Sequence, residues 1–128
     1  MADPGFALQK ALYQRLTAEL TVPVYDSVPD DTPYPYVTID AENSTDAIPL
    51  TGRRRDRRLI YFSVWSDYPG QAEVKRINGE IVAALDRRPL ILEAGTAIEV
   101  LVLRTESNRE PDLRTYMGSV TAQILTRN

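Results

Sequence analysis

The stretch Leu59-Ile60-Tyr61-Phe62-Ser63-Val64-Trp65 decides the fold of this 128-residue chain. Ile60, Phe62 and Val64 alternate with Leu59, Tyr61, Ser63 and Trp65, and a period of two built from β-branched and aromatic residues predicts a strand with one face in a core. Upstream, Val37 and Ile39 alternate with Tyr36, Thr38 and Asp40 over Tyr36 to Ala41, behind a stiff Pro33-Tyr34-Pro35 approach. The two strands are expected to pair as a hairpin across the polar stretch Glu42 to Arg58, one long connecting loop of the kind that usually carries function.

Helical periodicity lies on both sides of this hairpin. Leu8, Leu12, Leu16 and Leu20 recur every fourth residue behind Asp3 as an N-cap and Pro4 at the first helical position, with Phe6, Ala7 and Ala11 widening the stripe. Pro69 and Gly70 open a second helix running to about Arg87, in which Val74, Ile77, Ile81 and Leu85 share one face. Val22 to Val28, with Pro23 and Pro29 near its ends, reads as a short strand at a sheet edge, because proline cannot donate to a ladder. Leu90 to Leu92, Ala97 to Leu103 and Leu113 to Leu125 read as further strands, separated by Gly95 and by a polar turn from Glu106 to Asp112. The order of elements predicts an α+β fold, a mainly antiparallel sheet with two helices packed on one face, formed by a single domain over residues 1–128.

Composition removes several functional classes. The chain has 43% hydrophobic and 26% charged residues, which suits a globular domain, and it contains neither cysteine nor histidine. Ser-His-Asp and Cys-His nucleophilic systems, imidazole shuttles and thiolate metal sites are therefore impossible, and carboxylate, lysine or tyrosine chemistry is all that an enzyme could use. Glu42 with Asp46, and Glu106 with Glu110, are the carboxylate pairs to weigh, but nothing orders them and no phosphate-cradling glycine loop accompanies them. No catalytic residue, cofactor or metal is expected. Met1 to Lys10 lacks the pattern of a secretion signal and no stretch is long enough to cross a bilayer, so the expected setting is cytosol-like, away from membranes.

Val24-Tyr25-Asp26-Ser27-Val28-Pro29, Pro35-Tyr36-Val37-Thr38-Ile39, Phe62-Ser63-Val64-Trp65-Ser66 and the helix from Ile77 to Ala83-Ala84-Leu85-Asp86 keep an order that resembles the tail-completion, or tail-terminator, proteins of long-tailed bacteriophages. The resemblance covers nearly the whole chain. It implies a virion protein, made in the host bacterial cytoplasm, that assembles with itself as a ring, commonly of six copies. The ring sits on the last ring of tail tube protein, stops growth of the tube and offers its other face to a head-side connector or stopper, while DNA passes through the lumen. The same resemblance leaves room for a head-tail stopper or adaptor, and a reading of another class is a small nucleic-acid-binding module or a carboxylate-dependent hydrolase.

The arginines at positions 53, 54, 55, 57 and 58 stand outside that resemblance. With Asp56 they carry +4 over six residues, so a net charge of −3 leaves −7 for the remainder. Guanidiniums packed this closely repel one another unless carboxylates or phosphates are near. Arg53, Arg54, Arg55, Arg57 and Arg58 are therefore candidate interface residues, for acidic surface on an adjacent subunit or tube protein, or for DNA in the lumen. A solvated loop beside an acidic domain is the plainer alternative. Tyr34 and Tyr36, with Tyr25 among prolines, are candidates for a protein contact because rigid aromatics bury area at low entropic cost, though packing of a turn onto the sheet explains them as well. Tyr61 and Trp65 are read as packing residues rather than a base-stacking platform, since a domain with a sequence pI near 5 offers no basic groove.

Overall fold

The computed structural model describes residues 3–48 and 51–128. Its elements are α1 (Gly5–Glu19), β1 (Val24–Tyr25), β2 (Tyr36–Asp46), β3 (Arg55–Ser66), α2 (Ala72–Leu85), β4 (Thr96–Arg109) and β5 (Tyr116–Arg127). The strands form one five-stranded sheet in the order β1-β2-β3-β5-β4. Every pairing is antiparallel except that of β1 with β2, so the expected α+β class and mainly antiparallel sheet are what the chain forms.

The alternation in Leu59 to Trp65 sets the two faces of this sheet. Ile60, Phe62 and Val64 of β3 are buried, and across the ladder they meet Ala122, Val120 and Gly118 of β5. Leu8, Leu12 and Leu16 of α1 and Ile77, Ile81, Ala84 and Leu85 of α2 join them in a single apolar core, which places both helices on the same face. The fit is closest at Gly118, where a Cβ would stand 2.5 Å from Asn78 Oδ1 and 2.5 Å from Val74 Cγ1; α2 can approach β5 only because that residue has no side chain. Polar contacts fasten the helix ends. Arg15 of α1 donates to the carbonyl oxygens of Ala84 (3.0 Å) and Pro89 (2.7 Å), supplying partners at the C-terminal end of α2 where helical hydrogen bonding stops. Asp86, at that same end, accepts the Val102 amide of β4 at 2.9 Å, which holds its carboxyl below the ordinary range, with Arg87 contributing further.

Several expectations are corrected. The stretch Glu42 to Arg58 is not one long loop: β2 continues to Asp46 and β3 begins at Arg55, so most of it is paired strand. Its part at Pro49 and Leu50 lies outside the described residues, as do Met1 and Ala2. Hydrophobic alternation stops at Leu59, but backbone pairing does not, because β3 has β2 on one side and β5 on the other as far as Arg55. Leu90 to Leu92 forms no strand. The polar turn lies later in the chain than expected, at residues 110–115, since β4 runs to Arg109 and β5 starts at Tyr116 rather than Leu113. Phe6 does not widen the buried stripe of α1; its side chain is 82% exposed, while Ala7 and Leu8 turn inward. Asp3 makes no standard cap across the first turn: one of its oxygens accepts the Gly5 amide at 3.0 Å and the other reaches Arg58 at 2.8 Å.

Candidate functional site

The arginine cluster divides according to which face of β3 each residue occupies. Arg58 points to the helix side with Ile60 and Phe62, and its side chain is only 2% exposed. Its guanidinium lies 2.8 Å from Asp3, 2.7 Å from Glu42 and 3.5 Å from the buried Asp56, and its Nε donates to Thr126 Oγ1 at 2.9 Å. Burial opposes this charge, yet the hydrogen bonds to Glu42 and Asp3 outweigh burial and raise its pKa above the ordinary value. Arg58 joins the start of α1, the middle of β2 and the end of β5, so it is an internal clamp rather than an interface residue. Arg54 is also largely engaged within the chain, its Nε donating to Asp56 at 3.0 Å while Asp46 lies 3.9 Å away.

Arg53, Arg55 and Arg57 are different. Arg55 and Arg57 lie on the side of the sheet that no helix covers, in line with Leu59, Tyr61 and Trp65. Arg55 is directly opposite Arg127 of β5, a like-charged cross-strand pair. Among the described residues Arg53, Arg55, Arg57 and Arg127 form no ion pair. The Nε of Arg127 is buried without a hydrogen-bond partner. A surface cavity of about 350 Å³ lies here, lined by Thr51, Gly52, Arg53, Arg55 and Arg127.

The opposite end of β2 carries the tyrosines. Tyr34 stacks on Tyr36 with ring centroids 5.5 Å apart, and Tyr25 meets Tyr36 edge-on at 5.9 Å. Burial pushes the Tyr36 phenol above its ordinary pKa, with Tyr34 adding to the effect. Tyr36 is opposite Trp65 in the ladder, so these aromatics form one end of the helix-free face. Trp65 packs there and not in the core beneath the helices. One edge of the sheet is β4, whose outer side has no neighbouring strand and which is kinked by irregularities at Ala97/Glu99 and Val102/Arg104; at the other edge the two-residue β1 covers β2 only at Val37 and Thr38. Beside it, a cavity of about 510 Å³ is lined by Arg87, Pro89, Ile98 and Val100 among others.

No cluster of carboxylates with metal-binding geometry occurs among the described residues, and no described helix is long and apolar enough to cross a membrane. A family model described as Tail completion protein gp17 matches residues 7–127. The chain belongs to that family. It is also similar in fold to a chain of a solved structure titled "Virion of native gene transfer agent (GTA) particle", at 22% sequence identity and a TM-score of 0.89, with 100% of each chain covered. No curated protein matches it.

For a tail completion protein, the features that periodicity did not reveal are Arg127 beside Arg55, and the long free edge at β4. Arg127 sits in sequence 72 positions from Arg55, and only the β3–β5 register brings them together. The β4 edge carried a partial signal, since Ile98 and Leu103 are apolar residues in a strand whose side chains are 43% and 51% exposed.

Proposed function

We propose that this single-domain chain closes the end of a tail tube as a homo-oligomeric ring of six copies, one face seated on the last ring of tube protein and the other presented to the head-side connector. Its action is steric. A ring that occupies the tube end leaves no free surface for another tube subunit, and a complementary upper face lets a head join, with DNA passing through the opening. No reaction is catalysed and no cofactor takes part, in keeping with a sequence that has neither histidine nor cysteine.

The observation that carries this reading is the match to the tail completion family over residues 7–127. Surfaces suited to contact between copies support it: the free edge of β4, the unpaired arginines at the β2–β3 tip and the Tyr34–Tyr36 stack. Of the candidate contacts, Arg53, Arg54, Arg55, Arg57, Tyr34 and Tyr36 remain proposed interface residues, Arg54 because its side chain is still 56% exposed beside Asp56. Arg58 is withdrawn because its guanidinium is consumed inside the subunit.

Electron microscopy of particles produced with and without the protein tests the reading. Tails of uncontrolled length that carry no head are expected in its absence. Tails of normal length joined to heads would overturn it.

A further inference from the structure

The β2–β3 tip is built as an anion site that its own chain does not fill. Arg55 and Arg127 face each other across the ladder, Arg53 and Arg57 flank them, and the buried Nε of Arg127 has no acceptor. Directly opposed like charges destabilise a ladder, and a buried donor without a partner adds its own desolvation cost. A carboxylate placed in this cavity relieves both.

The chain offers such carboxylates at the other end of β2. Asp26, Asp30 and Asp31, in the segment between β1 and β2, are exposed and form no ion pair or side-chain hydrogen bond among the described residues. They stand beside Tyr25, Tyr34 and Tyr36, whose ring faces suit guanidinium groups as the carboxylates do. The 11 residues of β2 separate this acidic, aromatic segment from the arginine tip by roughly 3.3 Å per residue, so the two cannot meet within one chain. They can meet between copies.

We infer that the arginine tip of one copy docks on the Asp26–Asp31 segment of the next, a head-to-tail contact that repeats around a closed ring. A contact of this heterologous kind closes when the rotation between copies returns to its start. The inference rests on the ring reading above and adds the pair of surfaces that form the joint. DNA is the less favoured occupant, because four cations at one strand end form a spot and not the stripe that tracks a phosphate backbone.

Two charge-reversed chains test it, one with Asp30→Arg and Asp31→Arg, the other with Arg55→Asp and Arg57→Asp. Native mass spectrometry in the presence of tube protein reads assembly, and circular dichroism confirms folding. Each chain alone sets like charges together, and its association should fall by about tenfold or more. An equimolar mixture, in which every joint again pairs opposite charges, should restore rings of alternating composition. Because the chain has no cysteine, a second test is available: Asp30→Cys with Arg55→Cys in one chain, treated with a short bismaleimide, should give a ladder of covalent oligomers, whereas either cysteine alone stops at dimers. A spacer is needed since an arginine–carboxylate contact holds the Cβ atoms beyond disulfide reach.

Rings that form normally from each reversed chain alone, with no ladder from the double-cysteine chain, would overturn the joint and leave the ring reading standing. A wild-type protein that stays monomeric with and without tubes would overturn both. Binding of double-stranded DNA at physiological salt that is lost in the Arg55→Asp, Arg57→Asp chain would assign the tip to nucleic acid and overturn the inference.

Discussion

Arg57 and Arg58 are adjacent in sequence and opposite in circumstance. Arg58 points into the helix-covered side of the sheet, 2% exposed and held by three carboxylates, whereas Arg57 points to the helix-free side and pairs with none among the described residues. The pleat separates them, since successive side chains of a strand leave by opposite faces. A run of arginines is thus not one feature. Its inward members are neutralised and hold the fold, and its outward members keep charge that only another molecule can satisfy.

The sharpest way to break this comparison is to remove the inward charge. Arg58→Ala empties a buried site and takes the close cation from Glu42 and the Nε donor from Thr126, while Arg54 still holds Asp56, and it should cost about 2–4 kcal/mol of stability in urea denaturation, against changes within about 0.5 kcal/mol for Arg57→Ala. A loss of similar size at both positions would show that the two faces are not distinct in this way.

A smaller effect tests packing on the same two faces of β5. Gly118→Ala drives a methyl group into Asn78 and Val74 and should cost about 1–3 kcal/mol, while Ser119→Ala, whose side chain is on the helix-free side, should be close to neutral in the same denaturation experiment.

Acid titration sharpens the account of the clamp. The hydrogen bond from Arg58, and after it that from the Gly5 amide, hold the Asp3 carboxyl below its ordinary value of 3.8. A carboxyl whose folded pKa is depressed contributes stability that is fully present above its unfolded value and is lost as pH falls through the folded one. Asp3→Asn should therefore flatten part of the stability loss seen below pH 3.8, by less than about 1 kcal/mol because the Asp3 side chain is 65% exposed. Thermal denaturation across pH 2 to 5 would measure it, with the two proteins converging at the acid end.

The smallest effect has the opposite sign. Arg55→Thr removes the like charge facing Arg127 and should raise the stability of the isolated chain by a few tenths of a kcal/mol, roughly 0.2–0.5. If the tip is a joint between copies, the same substitution weakens assembly, so a gain in melting temperature would accompany a loss of rings.

Much of the fold was legible because its signals are local. The leucines at 8, 12 and 16, the face of Val74, Ile77, Ile81 and Leu85, and the alternation through Ile60, Phe62 and Val64 are all buried as their spacing requires. The strand from Arg55 to Arg58 was hidden because its inward positions are Asp56 and Arg58, charged residues that read as surface until their partners are known. The candidate site was legible only in part: the sequence marks the arginines and tyrosines, but not which of them face outward.

Sequence alone determined the helices, the alternating strands, the α+β class and the loss of histidine and cysteine chemistry, since each depends on residue type or on spacing within a few turns of chain. Tertiary structure alone decided that Arg58 meets Asp3, 55 positions away, and Thr126, 68 positions away, and that Arg55 faces Arg127. Charge neutralisation acts through space, and which ions lie within reach is set by strand register and helix docking rather than by neighbours along the chain.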